Sequence, residues 1–430
     1  MDFPLSAGRA WRSFPWRAAA VFLSWVAVAP ACAAAALTFD DALALALRET
    51  PALRAESARI DAAREAAIPA GELPDPRLAL AIDNLPVTGA DRFSLGRDFM
   101  TMRRVGVMQE FPNRAKRDAR VDAARGRIAL GEAQARIVRR EVLQETAVAW
   151  IAREAIERQL ARIDALDAEN RLLDAALRAR IAGGGGAALD AVAARQEAAT
   201  IDARRDELAA RRQQAIAALR RWVGARAEAA LAGDAPDWDL SHDTLAHALH
   251  RHPALAIFEP RSRLLDAGVA EARAARKPDW GLELAYQKRG ARFSDMAMVQ
   301  LSFDLPVFAA TRQNPVIAAR LAEREGLDVE REAVLRERAA ALEADWAEYR
   351  RLASAVARQR DVVLPLAREK VDLATAGWRG GRGALVDLVA ARRERIDAEL
   401  AAIALAGDLK QMAARLHYAY GDIAASGEQP

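Results

Sequence analysis

Apolar residues recur every three or four positions along most of the chain, as in Ile156, Leu160, Ile163 and again Leu173, Leu177, Ile181. That is the period of a one-sided helix. It predicts helices over about 39–73, 114–181 and 187–223, then over 241–276, 313–378 and 384–420. A helix of the 114–181 kind would be about 100 Å long at 1.5 Å per residue, too long for a globular core. Neither of the two longest helices contains a Gly-Pro cluster, Gly126, Gly131, Gly326 and Pro365 being tolerable interruptions, and Pro365 should bend the second. Four short segments change to a period of two. Leu78, Leu80 and Ile82 alternate with Ala79, Ala81 and Asp83, and Val105 and Val107 alternate with Gly106 and Met108. Trp280, Leu282, Leu284 and Tyr286 alternate with Gly281, Glu283, Ala285 and Gln287, and Val299, Leu301, Phe303 and Leu305 with Gln300, Ser302 and Asp304. Each predicts a strand with one large apolar face and one small or polar face.

The order of elements occurs twice. At an offset of 202 residues Asp41, Leu43, Pro51 and Leu53 fall on Asp243, Leu245, Pro253 and Leu255, and Pro76 falls on Pro278. At an offset of 197, Gly183, Gly186, Asp190 and Arg195 fall on Gly380, Gly383, Asp387 and Arg392. Chance similarity between Ala-rich helices would match alanines, not Pro, Gly and Asp at constant offsets. The duplication predicts a first repeat over 36–224, a linker over 225–239 lying at mid-height as a belt, a second repeat over 240–421, and a tail, 422–430, that joins the belt. The glycine runs Gly183, Gly184, Gly185, Gly186 and Gly380, Gly381, Gly383 stand at matching places. They read as reversals between long antiparallel helices, where glycine permits left-handed backbone.

Composition narrows the classes. The net charge of +3 comes from interspersed acids and bases with no basic, aromatic-laced tract, so no nucleic-acid partner is expected. Cys32 is the single cysteine, which excludes a disulfide framework. Arg9, Arg12 and Arg17 precede the apolar run 18–31 and the small residues 32–36, the layout of an export signal over 1–35. Removal near Ala33–Ala36 is the main reading; lipidation of Cys32 is the alternative, in a poor context because of Ala29 and Pro30. No later stretch would cross a membrane as a helix. In an exported chain, outward-apolar strands suit the wall of a transmembrane barrel. Four strands cannot close one, and open edges are not tolerated in lipid, so several chains would have to share it.

These features together resemble the TolC-like outer-membrane efflux family, over nearly the whole length from LTFDDALALALRETPALRA (37–55) to LHYAYG (416–421). The residues that carry the resemblance are the opening and its second copy LAHALHRHPAL (245–255), QEFPNRAKR (109–117), and the paired turns AGGGGAALDAVAARQ (182–196) and GGRGALVDLVAARR (380–393). The resemblance implies a mainly α fold with a small β part, in which a homotrimer builds an outer-membrane barrel and a long helical tunnel into the periplasm. It implies a duct for an inner-membrane RND-type pump, joined through a periplasmic membrane-fusion adaptor. QEFPNRAKR is similar to the wording of the heavy-metal, CzcC-like branch and departs from it at Asn113, Arg114 and Ala115. Heavy-metal cations are the cargo this suggests. The same duct for drugs or secreted peptides, and a periplasmic coiled-coil adaptor or scaffold, are the other readings.

No enzyme constellation and no cofactor motif occurs: there is no phosphate-cradling Gly-Lys loop, no nucleophile elbow and no Cys/His metal spacing. His247 and His250, three apart, are a weak metal candidate set against a solvated helix start. Asp190 and Asp387 would open the helices after the glycine turns, where the helix dipole favours a carboxylate, and symmetry would make each a ring at the periplasmic entrance. The turns themselves are the expected adaptor contact. Asp83, Glu110, Glu283 and Asp304 would line the barrel lumen, with Trp280 and Tyr286 at the lipid interface.

Overall fold

The computed structural model describes residues 36–184 and 188–421. Met1–Ala35 and Ala36–Pro430 separate as two units, and the described elements all belong to the second. The export signal over 1–35, Gly185, Gly186 and the tail 422–430 lie outside the described residues.

The first predicted helix is broken in both copies. Thr38 caps α1 (Phe39–Glu49) by accepting the Asp41 N–H at 3.1 Å, and α2 (Pro51–Ala67) begins two residues after α1 ends. Thr50 between them is extended at ψ 122°, as a residue before proline prefers. Pro51 opens α2 at the position where a missing N–H costs nothing. Its counterpart Pro253 does the same. After α5 (His242–Ala248) and a 3₁₀ turn over Leu249–Arg251, Pro253 starts α6 (Pro253–Ala256), followed by α7 (Phe258–Ala274). The paired prolines therefore mark breaks, not interior helix positions.

α3 (Arg114–Ala182) runs unbroken for 69 residues. Gly126 sits inside it without a break because α7 passes close there: a Cβ would lie 3.2 Å from Leu264 Cα. The partner helix of the second copy is divided. α8 (Gln313–Arg358) passes through a π turn over Gln359–Val363 into α9 (Leu364–Arg379). Pro365 is the cause. It offers no N–H to the carbonyl four residues earlier and crowds it, and a wider turn relieves both. The Leu364 N–H accordingly bonds to Gln359 O, five residues back. Each long element is followed by a helix of about half its length, α4 (Ala188–Val223) and α10 (Leu385–Tyr420).

The four strands form one antiparallel sheet in chain order: β1 (Arg77–Asp83), β2 (Met102–Phe111), β3 (Trp280–Lys288) and β4 (Met296–Phe303). The two copies meet at the β2–β3 pair. The register stacks apolar side chains in rows on one face: Phe111–Trp280–Phe303, Leu78–Val107–Leu284–Val299 and Leu80–Val105–Tyr286. Among the described residues nothing covers this face; Leu80 is 72% and Val299 69% exposed.

The largest core lies at the middle of α3 and fastens the linker to it. Trp150 and Ile151 are fully buried among Leu37, Phe39, Leu219, Trp222, Ala227 and Tyr418, and each such large apolar side chain contributes about 1.5–3 kcal/mol by burial. Leu37 bridges to Leu231 in parallel, with its N–H on Ala230 O at 2.7 Å. Arg153, also fully buried, donates to Ala227 O at 2.6 Å and Ala229 O at 2.8 Å and pairs with Glu157 at 2.8 Å. A charged side chain thus closes the backbone bonds of a segment that has no regular partner of its own.

Candidate functional site

The far end of the helices is built by two hairpins packed together. Leu177 of α3, Ala194 of α4 and Leu385 and Leu388 of α10 form one buried cluster, with Val371 and Trp378 of α9 against it. The Arg180 guanidinium lies over the Trp378 ring at 4.9 Å. Lower charge pairs tie the hairpins further: Glu197–Arg393 at 3.1 Å, Asp397–Arg204 at 2.5 Å, and Glu169–Arg395.

The two turns are built alike where both are described. Gly183 and Gly380 both sit at φ −80°, each with its N–H on the carbonyl four residues back. Gly184 at φ +77° and Gly381 at φ +70° then turn left-handed, donating to Ile181 O and Trp378 O. So the requirement for glycine at these turns differs by position. Gly184 and Gly381 supply a backbone that other residues enter only at a cost. Gly183 has ordinary space and ordinary φ. Gly383 is needed for clearance, since a Cβ would lie 3.1 Å from the Gly377 carbonyl carbon. Asp387 is exposed in the first turn of α10, its N–H on Ala384 O at 3.2 Å. Asp190 falls in the first turn of α4, and its side chain lies outside the described residues.

At the other end, Asp83, Glu110 and Glu283 all project from the sheet face opposite the apolar rows, and Asp304 follows β4 on the same parity. They are not an acidic array. Arg104, on this face beside them, pairs with Asp83 at 3.2 Å and with Glu283 at 3.1 Å. Arg77 pairs with Glu110 at 3.2 Å. Arg104 was legible in principle, because it shares the parity of Gly106 and Met108 along β2. Trp280 and Tyr286 take opposite ends of the apolar face. Trp280 stacks on Phe111 at 4.0 Å near the helices, and Tyr286 lies six residues along the same strand.

His247 and His250 do not share a regular helix face, since α5 gives way to the 3₁₀ turn between them. His247 Nδ1 bonds to the Asp243 carbonyl at 2.6 Å. Among the described residues no group of three His, Cys, Asp or Glu is placed to hold a metal ion. Two further histidines serve the packing. His252 caps α6 by accepting the Ala254 N–H at 3.1 Å, and burial, with Arg338 and Arg140 nearby, pushes its imidazole down to about 4. His417 stacks on Trp238, and burial beside Arg140 lowers it too. Among the described residues no helix is long and apolar enough to cross a membrane.

No family model matches the chain, and no curated protein matches its sequence. Its fold is found in solved structures. A membrane protein from Pseudomonas aeruginosa superposes with a TM-score of 0.75 at 20% identity, over 89% of this chain and 90% of that one. The outer membrane protein VceC from Vibrio cholerae gives 0.71 at 19% identity, over 89% and 96%. CusC, described as forming a transmembrane channel, gives 0.71 at 16% identity, over 89% and 92%. The chain therefore has the mainly helical fold with a small sheet that these structures share.

Proposed function

We propose that the chain is a passive outer-membrane duct of a tripartite efflux system, assembled as a homotrimer. The observation that supports it most is the sheet. Its apolar face is bare, and β1 and β4 are edges with no strand beside them among the described residues. In water that arrangement invites aggregation; in lipid an open edge is not viable. Pairing β1 of one chain with β4 of the next, head to tail, removes every edge and leaves the apolar rows facing lipid. From Trp280 to Tyr286 those rows span about 20 Å along the strand, of the order of the ~25 Å apolar band of such barrels. The 69-residue α3 then carries the wall onward into the periplasm. No catalytic step is assigned; energy comes from an inner-membrane RND-type pump reached through a periplasmic adaptor. The glycine turns at Gly183–Gly186 and Gly380–Gly383 are the proposed adaptor contact, and Asp190 and Asp387 the proposed entrance rings. Heavy-metal cations are the proposed cargo, on the similarity of QEFPNRAKR alone.

The test is fractionation with cross-linking. Cysteines placed on β1 and β4 should join different chains into trimers in the outer-membrane fraction. Recovery as a soluble periplasmic monomer would sink the duct and leave the scaffold reading. For the cargo, a deletion strain lacking other ducts should lose tolerance to zinc, cobalt or copper. Loss of tolerance to a drug panel alone would assign the same duct to drugs.

A further inference from the structure

Arg103 and Arg104 are neighbours in β2 that point to opposite faces of the sheet, and their surroundings differ in sign. Arg104, on the polar face, is neutralised from both sides by Asp83 and Glu283. Arg103, on the apolar face, is paired in register with Lys288 of β3. Both are exposed, and they stand directly beyond the last apolar row, Leu80–Val105–Tyr286, with Ile82 beside them. Like charges directly opposite across two strands cost stability unless an anion lies between them. Asp295, which also accepts from the Tyr286 hydroxyl and the Arg289 N–H, is the carboxylate in the field of both, and its single negative charge leaves the two cations in excess.

The loops above this pair form one further surface. The segments 84–101 and 289–295 meet backbone to backbone, so closely that a Cβ on Gly290 would lie 1.9 Å from Gly96 O. The longer loop is folded on itself, with Phe93 N–H on Pro86 O at 2.8 Å and Thr101 Oγ1 on Asn84 O at 3.0 Å. It nonetheless holds Phe93 60% exposed at φ +56°, a backbone strain that a bulky residue rarely carries. Arg92 lies over that ring. A cationic rim immediately above an apolar wall, topped by exposed apolar side chains, matches one kind of partner: an anionic lipid whose charge sits at the head and whose chains lie along Leu80 and Ile82.

We propose that Arg103 and Lys288 form a binding site for the phosphate of a phosphorylated glycolipid in the outer leaflet, the loops 84–101 and 289–295 resting on its headgroup. The proposal rests on the barrel reading. The full chain is assembled in phosphatidylcholine nanodiscs carrying either diphosphoryl lipid A or lipid A stripped of phosphate, and the glycolipid retained through purification is measured. Diphosphoryl lipid A should be retained, and Arg103→Gln with Lys288→Gln should lower its retention about tenfold or more, two interfacial charges being lost. Lys288→Gln alone should give an intermediate value. In glycolipid-free detergent the double variant should melt close to the parent, because the mutual repulsion of the two cations and their attraction to Asp295 are lost together; this separates loss of a site from loss of the fold. Equal retention of the two lipids, retention unaffected by the double variant, or the same protection from inorganic phosphate alone would overturn the lipid site while leaving the barrel intact. Failure of the parent chain to insert at all would overturn both.

Discussion

Asn113 places its backbone N–H and its side-chain amide on one oxygen of Asp279, each at 2.8 Å. Lys116 Nζ takes the other oxygen at 2.5 Å, and the Asn113 amide reaches Ala274 O at 3.1 Å. Asn113 is also the cap of α3, accepting the Lys116 N–H at 3.0 Å. One side chain thus fixes the point where β2 becomes α3 in the first copy to the point where α7 becomes β3 in the second. The stretch QEFPNRAKR departs from the heavy-metal wording at this residue, and the departure has a structural role.

Asn113→Ala should destabilise the assembled protein by about 2–4 kcal/mol, the sum of a lost cap and lost bonds to a carboxylate. Denaturant unfolding of the detergent-solubilised protein measures it. Asp279→Ala in the same background should add much less than it costs alone, since the two act as one unit; full additivity would contradict the arrangement.

Burial alone would raise the Asp279 carboxyl, but Lys116 and Asn113 outweigh it and hold it below the usual carboxylate range. A carboxyl lowered in the fold stabilises above its unfolded pKa, and that contribution is lost as pH falls through the folded value. His252 acts earlier in the same descent. Lowered to about 4 in the fold, it stays neutral while the unfolded chain takes up a proton from about pH 6.5 downward. Stability should therefore be flat above about pH 6.5 and fall between there and about 4. His252→Asn keeps an acceptor for the Ala254 N–H and should flatten that stretch of the melting profile. An unchanged slope would show that His252 is not responsible.

Removing Arg153 should release the linker. Arg153→Leu leaves Ala227 O and Ala229 O without their donor and Glu157 with Arg212 alone, a loss of about 1–3 kcal/mol for each buried acceptor left unpaired. Limited proteolysis should then cut within 224–240 before any cut in α3. Cleavage no faster than in the parent would mean that the apolar contacts of Trp150 hold the segment alone.

The glycine turns should respond by position. Gly184→Ala and Gly381→Ala should each cost about 1–2 kcal/mol for left-handed backbone, while Gly183→Ala should be neutral or slightly stabilising. A bulky residue at Gly183 should leave the trimer assembled and reduce efflux, if the turn is the adaptor contact. Full efflux from such a variant would make the glycines a turn and nothing more.

The helices and strands were legible because their signals are periodic, and periodicity survives without tertiary context. The breaks at Pro51 and Pro253 were visible as residues but not as breaks, since proline is equally at home in a first helical turn. The pairs Asn113–Asp279 and Arg104–Glu283 join residues more than 160 positions apart; no local pattern announces which distant partner a polar side chain finds. Parity put Asp83, Glu110 and Glu283 on the polar face of the sheet, yet parity says nothing about a cation standing among them. The π turn followed from Pro365 only as a bend, because the remedy a helix adopts depends on what it packs against.

In the assembly proposed above, that turn has a consequence for the end far from the sheet. One residue added to a helical turn rotates everything beyond it by about 100°. Beyond Gln359, α9 is rotated by that amount relative to a helix continued without the π turn. Gln359 Nε2 fixes the slipped phase by bonding to Ala398 O of α10 at 2.8 Å. In an assembly of identical chains, the duplicated halves would therefore be distinguishable at the periplasmic end. A partner docking there would meet alternating grooves of two kinds, and could tell where one subunit ends and the next begins.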